Sequence, residues 1–142
     1  DLKDVVSKVN LTSDEVIALH TSKILEVAIM GFLPGLGYLT GVDDALHLPR
    51  RSVPRTFVPQ GSVGLAMDQT VIYPLNSPGG WNLIGRMPIP LFDQKRENPI
   101  LFSAGDQVSF YAVNADKYEE LAASCVDGNL PICPEQADEA AL

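Results

Sequence analysis

Between Tyr73 and Arg86 the chain reads Tyr-Pro-Leu-Asn-Ser-Pro-Gly-Gly-Trp-Asn-Leu-Ile-Gly-Arg. Few backbones accommodate it. Pro74 and Pro78 each fix φ and remove an amide donor, which excludes a helix and the middle of a central strand. Gly79 and Gly80 permit positive φ or close approach of another group. Trp81 follows as the only tryptophan of the 142 residues. Arg86 ends the run with a cation suited to two-point contact with a carboxylate or phosphate. Taken alone, the stretch predicts a rigid connection between two strands with Trp81 in the core.

The flanking sequence extends the β pattern. Ile24–Met30 is strand-like, and Ser62–Ala66 and Thr70–Tyr73 read as a hairpin turning at Met67-Asp-Gln69. Further short strands are expected at Trp81–Arg86, at Ile89–Phe92 and over Gln107–Val113. In the last of these Val108, Phe110 and Ala112 share a face, after a turn at Ser103–Asp106. Short strands separated by Pro/Gly turns point to a barrel or sandwich. The N-terminus differs. Leu2, Val5, Val6 and Val9 follow helical spacing, and Thr12-Ser-Asp-Glu15 makes a capping box for a second helix from Ser13 to His20. Val16 and Leu19 face inward there. His20 at the helix end is expected as an imidazolium favoured by the dipole. A short helix from Ala115 to Ala123 precedes an acidic tail.

Hydrophobic content of 46% in 142 residues suffices for one core. The net charge of −8 disfavours nucleic-acid and anionic-membrane partners. The longest apolar region, Ile24–Leu39, is interrupted by Glu26 and Pro34 and does not read as a membrane span. Cys125 and Cys133 lack a zinc spacing and a nearby histidine, so no metal site is expected. Free thiols in a cytoplasmic protein are the reading of this pair.

Chemistry is concentrated in few places. Gly31-Phe-Leu-Pro-Gly-Leu-Gly-Tyr38 is glycine-rich but lacks a Gly-Lys-Ser/Thr ending, so it reads as a structural loop. His47 to Gln60 carries His47, Arg50, Arg51 and Arg55 among Pro49, Pro54 and Pro59, which hold it extended. Two readings stand for this segment, a solvated basic loop or an anion-binding rim. Ser77 has no base beside it in sequence, and neither a nucleophile elbow nor a zincin motif is present. A binding surface is better supported than a complete catalytic centre.

The motifs also occur as an ordered set. Gly31-Phe-Leu-Pro-Gly35, Leu48-Pro-Arg-Arg51, Val53-Pro-Arg55, Val58-Pro-x-Gly-Ser-Val-Gly64, Gln69-Thr-x-Ile-Tyr-Pro74, Ser77-Pro-Gly-Gly-Trp-x-Leu-Ile-Gly-Arg86 and Ala104-Gly-Asp106 follow one another. Together they resemble the KipI family, also called allophanate hydrolase subunit 1 or the 5-oxoprolinase B subunit, over about Asp1 to Val113. Leu36-Gly37 and Ile24-Leu25 depart from the family's usual Phe-Pro and Glu-Tyr.

The resemblance implies a mainly β, cyclophilin-like β-barrel preceded by short helices. The divisions are a helical lead-in at 1–22, the barrel at 23–114 and an acidic tail at 115–142. The family usually carries a small α/β domain ahead of this region, so the chain is expected to be the C-terminal part of a longer protein. It implies one subunit of an ATP-dependent 5-oxoprolinase that opens pyroglutamate to glutamate, with ATP used by the complex. The implied partner subunits are KipA-like and LamB/YcsF-like. The alternatives are inhibition of a sensor histidine kinase and a place in a urea carboxylase or allophanate hydrolase system. Candidate substrate or anion ligands are His47, Arg50, Arg51, Arg55, Ser77, Gly79, Gly80 and Arg86.

Overall fold

The computed structural model describes residues 1–131. Two helices open the chain, α1 (Leu2–Val9) and α2 (Ser13–Thr21). Asn10 ends α1 in the left-handed region, with φ 55°, a conformation asparagine tolerates better than most residues. Thr12 and Glu15 then form the expected capping box: each side chain bonds the other's backbone N–H. Eight strands follow: β1 (Ile24–Met30), β2 (Gly37–Thr40), β3 (Arg55–Val58), β4 (Ser62–Ala66), β5 (Gln69–Ile72), β6 (Ser77–Gly79), β7 (Asn82–Arg86) and β8 (Gln107–Ser109). A helix, α3 (Ala115–Ser124), comes last, capped by the Asn114 side chain on the Lys117 amide.

Six strands form one antiparallel sheet in the order β7-β4-β5-β2-β1-β8, and β3 and β6 pair as a separate ribbon. The sheet curls. Ile84 from edge strand β7 and Val108 from edge strand β8 pack against the same cluster as Leu25, Val27, Leu39 and Leu65. Both edges therefore close on one core, which makes the sheet barrel-like as the mainly β expectation required. Val5 of α1 and Val16 of α2 are fully buried in that cluster, so the N-terminal helices seal it.

All five residues of β4 are buried, because both faces of this strand are covered. Val63 and Leu65 point into the barrel core. Gly64 and Ala66 point the other way, where the ribbon and Trp81 pack over the sheet with Val58, Val71 and Tyr73. This second, smaller core borders a cavity between the ribbon and the sheet.

Some sequence expectations change. Ile89–Phe92 forms no strand: Pro88 and Pro90 remove alternate donors, and only an isolated Phe92–Ile100 bridge remains. The strand expected to Val113 stops at Ser109, leaving Ala112 exposed. His20 is buried rather than solvated. Its Nε2 lies 3.0 Å from Thr70 Oγ1 and its ring packs tilted against Phe110 at a centroid distance of 4.7 Å. Burial lowers its pKa to about 4, so desolvation overrides the helix dipole and the ring is neutral. Cys133 and the acidic run from Glu135 lie outside the described residues. No described helix is long and apolar enough to cross a membrane.

Candidate functional site

A cavity of about 210 Å³ opens between the ribbon and the outer face of the sheet. Leu33, Leu36, Val71 and Trp81 give it apolar walls, and Tyr38 and Tyr73 add two phenols. Ser77, Pro78, Gly79 and Gly80 form one side, and Arg50 stands at the rim. The Arg50 guanidinium lies 5.7 Å from the centroid of the Trp81 ring, a cation–π arrangement. Trp81 is tilted against Tyr38 at 5.8 Å. Ser77 Oγ is buried and has no hydrogen-bond partner among the described residues. It lacks a base, so it is an available hydrogen-bonding group and not an activated nucleophile.

Gly79 is dictated by close packing. A Cβ there would overlap the Tyr73 hydroxyl. Neither Gly79 nor Gly80 has positive φ, and a Cβ on Gly80 would make ordinary contact with Pro54 at 3.7 Å. The glycine pair thus owes its place to one steric demand and not to turn conformation. Burial pushes the Tyr73 phenol above its ordinary pKa, and the Trp81 backbone, Arg50 and Arg55 only partly offset this. At neutral pH the phenol is a donor.

The basic segment is fixed at several points. Leu48 bridges to Met67, whose N–H donates to the Leu48 carbonyl at 2.5 Å. The fully buried Asn82 donates from Nδ2 to the carbonyls of Pro49 (2.9 Å) and Leu65 (3.0 Å). The Arg51 amide donates to the Gly80 carbonyl at 2.8 Å, and Arg55 pairs with Gly79 across the ribbon. The guanidinium groups of Arg51 and Arg55 both grip one carboxylate oxygen of Asp1, Arg51 at 2.9 Å. The other Asp1 oxygen accepts from the Leu83 amide at 2.8 Å, satisfying a donor on edge strand β7. The Asp1 side chain is only 6% exposed.

The sequence candidates therefore divide. Arg50, Ser77, Gly79 and Gly80 line one cavity. Arg51 and Arg55 lie behind it with an internal carboxylate already bound. Arg86 is exposed and borders a different cleft of about 190 Å³ with Gln60, Met87, Pro90 and Tyr118. His47 lines neither cavity; its Nε2 lies 3.2 Å from the Val42 carbonyl and 3.7 Å from Asp44. Sequence reading missed Tyr38, Tyr73 and Asp1. Tyr73 was accessible through strand alternation, two residues after Val71 on the same face. Asp1 sits 50 and 54 residues from its arginines and left no sequence signal. No metal-holding cluster of His, Cys, Asp or Glu occurs among the described residues.

Fold and site together define a mainly β, barrel-like structure that presents a cation-rimmed pocket, with no nucleophile–base pair in it among the described residues. The chain belongs to the family described as carboxyltransferase domain, subdomain C and D, which matches residues 1–102. It is 47% identical to the 5-oxoprolinase B subunit of Haemophilus influenzae over 110 residues, covering 78% of this chain and 52% of the relative. It is 37% identical to the urea amidolyase of Saccharomyces cerevisiae over 79 residues, covering 52% of this chain and 4% of the relative. Among solved structures, the conserved uncharacterized protein PH0987 from Pyrococcus horikoshii superposes with a TM-score of 0.79 at 39% identity, covering 83% of this chain and 55% of that one. The chain spans about half the length of the 5-oxoprolinase B subunits that it matches.

Proposed function

We propose that this chain is the carboxyltransferase-type part of a 5-oxoprolinase B subunit. It would contribute the Arg50–Ser77–Gly79 cavity to a site shared with a KipA-like subunit, in a complex that also holds a LamB/YcsF-like subunit. The likeness to 5-oxoprolinase B subunits supports the activity. One structural observation carries the site: a guanidinium on an indole face and a buried, unpartnered hydroxyl meet in a cavity of about 210 Å³. That combination suits one carboxylate on a small body, which describes pyroglutamate. Arg50 would hold the carboxylate, the Tyr73 phenol and Ser77 Oγ would donate to substrate oxygens, and Leu33 and Leu36 would exclude water.

ATP is read as a ligand of the complex and not of this cavity. Two amides of the Gly31–Gly37 loop are bonded within it: Gly31 N–H donates to the Leu36 carbonyl at 2.7 Å, and Leu36 N–H donates to the Leu33 carbonyl at 3.0 Å. The cavity is also below the ~300 Å³ at which sites for drug-sized ligands begin. Nucleotide chemistry is accordingly assigned to the partner subunits. A urea amidolyase-type role is the second reading, favoured by the Saccharomyces relative.

The test is reconstitution of the protein carrying this chain with its KipA-like and LamB/YcsF-like subunits. Pyroglutamate-dependent ATP hydrolysis and glutamate release are measured together. Arg50→Ala is expected to lower kcat/KM by on the order of 100-fold, the loss of a charge-assisted contact. Full activity in that variant would refute the site assignment. Activity on urea but not pyroglutamate would favour the second reading.

A further inference from the structure

Three arginines, Arg50, Arg51 and Arg55, lie within six consecutive positions beside one small cavity. Left to themselves they would form a strongly cationic patch suited to phosphate or another polyanion. The structure prevents this with one residue. The buried Asp1 carboxylate holds the guanidinium groups of both Arg51 and Arg55, while its second oxygen is fixed by the Leu83 amide. Arg50 has no carboxylate partner among the described residues and rests only on Trp81. Its backbone is held on both sides, by Asn82 on the Pro49 carbonyl and by the Arg51 amide on Gly80.

We infer that Asp1 is a specificity-determining and positioning residue: by occupying Arg51 and Arg55 it leaves a single cation, Arg50, and so tunes the cavity to a monoanionic carboxylate and against phosphate-like dianions. The inference rests on the reading of this cavity as the anion site. It adds which charge state the site accepts and which residue imposes it. The physical basis is charge counting at short range. Removing the Asp1 charge frees two guanidinium groups whose Arg51 Nε and Arg55 Nη1 are already buried without partners. They would then seek an anion with more than one charge. The Gly79–Gly80 wall would shift too, because Arg51 and Arg55 both bond it through their backbones.

Trp81, the only tryptophan of this sequence, reports directly on the cavity. Fluorotryptophan is incorporated into the protein carrying this chain, which is then assembled with its KipA-like and LamB/YcsF-like subunits, and the Trp81 fluorine resonance is assigned by its loss in Trp81→Phe. The resonance is followed during titration with pyroglutamate and, separately, with inorganic phosphate. Wild type is expected to respond to pyroglutamate, with phosphate failing to compete. Asp1→Asn is expected to gain a phosphate response and to lose the preference by at least about ten-fold in apparent Kd, and Asp1→Glu to restore it. Val5→Ala, which weakens α1 at a buried position away from the cavity, separates general destabilisation from charge setting and leaves the preference unchanged. Unaltered selectivity in Asp1→Asn, or phosphate binding in wild type, overturns the inference. If Asp1→Asn does not fold, Arg50→Ala decides the matter. With Asp1 in place Arg51 and Arg55 cannot substitute, so the pyroglutamate response must vanish, and its persistence overturns the inference. A phosphate response gained in Asp1→Asn without any pyroglutamate response in wild type would sustain the charge-setting role and refute the substrate reading.

Discussion

Acid should weaken this fold through His20, and the size of the effect follows from its surroundings. The side chain is 7% exposed between α2 and β5, with Nε2 at 3.0 Å from Thr70 Oγ1. Thr70 has one hydroxyl proton, and it donates that to the Gly64 carbonyl at 3.0 Å. The oxygen is therefore the acceptor for His20, which fixes the neutral ring with its proton on Nε2. Protonation would place a cation against Phe110 without solvent, and burial accordingly lowers the pKa from 6.5 to about 4. The sign is fixed by linkage. As pH falls through 6.5 the unfolded chain takes up a proton that the native state refuses. Stability is lost from there until the native ring also protonates near 4, by about 3 kcal/mol in all.

The perturbation is His20→Gln, which keeps a donor for Thr70 and removes the titration. Urea unfolding of wild type and variant at about pH 7.5 and about pH 4.5 gives four free energies, and the wild type should lose about 2.5 kcal/mol more than the variant between them. The difference between proteins matters, because 18 Asp and Glu residues begin to titrate in the same range in both. Equal losses, or a His20 proton resonance titrating near its ordinary value in the native protein, would refute the reasoning.

Two further outcomes separate the cavity from its scaffold. Gly79→Ala drives a methyl into the Tyr73 hydroxyl and should lower stability by about 1–3 kcal/mol, while Gly80→Ala should stay within about 0.5 kcal/mol; thermal unfolding of the pair checks this. Arg55→Ala leaves the buried Asp1 carboxylate with Arg51 and the Leu83 amide and should cost about 1.5–3 kcal/mol, the range for losing a hydrogen bond to a charged group; a wild-type urea midpoint would show that the contact carries no stability.

Local order was legible in the sequence wherever one short-range demand dominated. The Thr12/Glu15 capping box, the Met67-Asp68 hairpin tip and the Asp106 side chain on the Ser103 amide are all set within a few residues. The family pattern extended that to the fold. Periodicity misled where prolines or burial competed with it, as at Ile89–Phe92, and at His20, whose helix-end position suggested a charge that its tertiary burial forbids. The candidate site was half legible. Arg50 and the Ser77–Gly80 segment line one cavity, because the ribbon pairs Arg55 with Gly79 and so brings the basic segment onto β6. Arg86 belongs to the same stretch, yet β7 carries it to the far end of the strand and into another cleft.

The basic segment shows why counting cations could not locate the site. Sequence offered a choice between a solvated basic loop and an anion-binding rim, and neighbouring residues take neither role uniformly. Arg51 and Arg55 turn to a carboxylate from the helical end of the chain, which lets them hold α1, the edge of β7 and the Gly79–Gly80 wall at once. Arg50 turns the other way, onto an indole face that adds attraction without adding negative charge. An arginine neutralised by a buried acid is poorly placed to exchange it for a substrate, since the acid would be left uncompensated. An arginine supported by an aromatic ring keeps its donors for an incoming anion. The distinction depends on a partner fifty residues away and on which side of the ribbon each side chain leaves, and neither is encoded in the local run of residues.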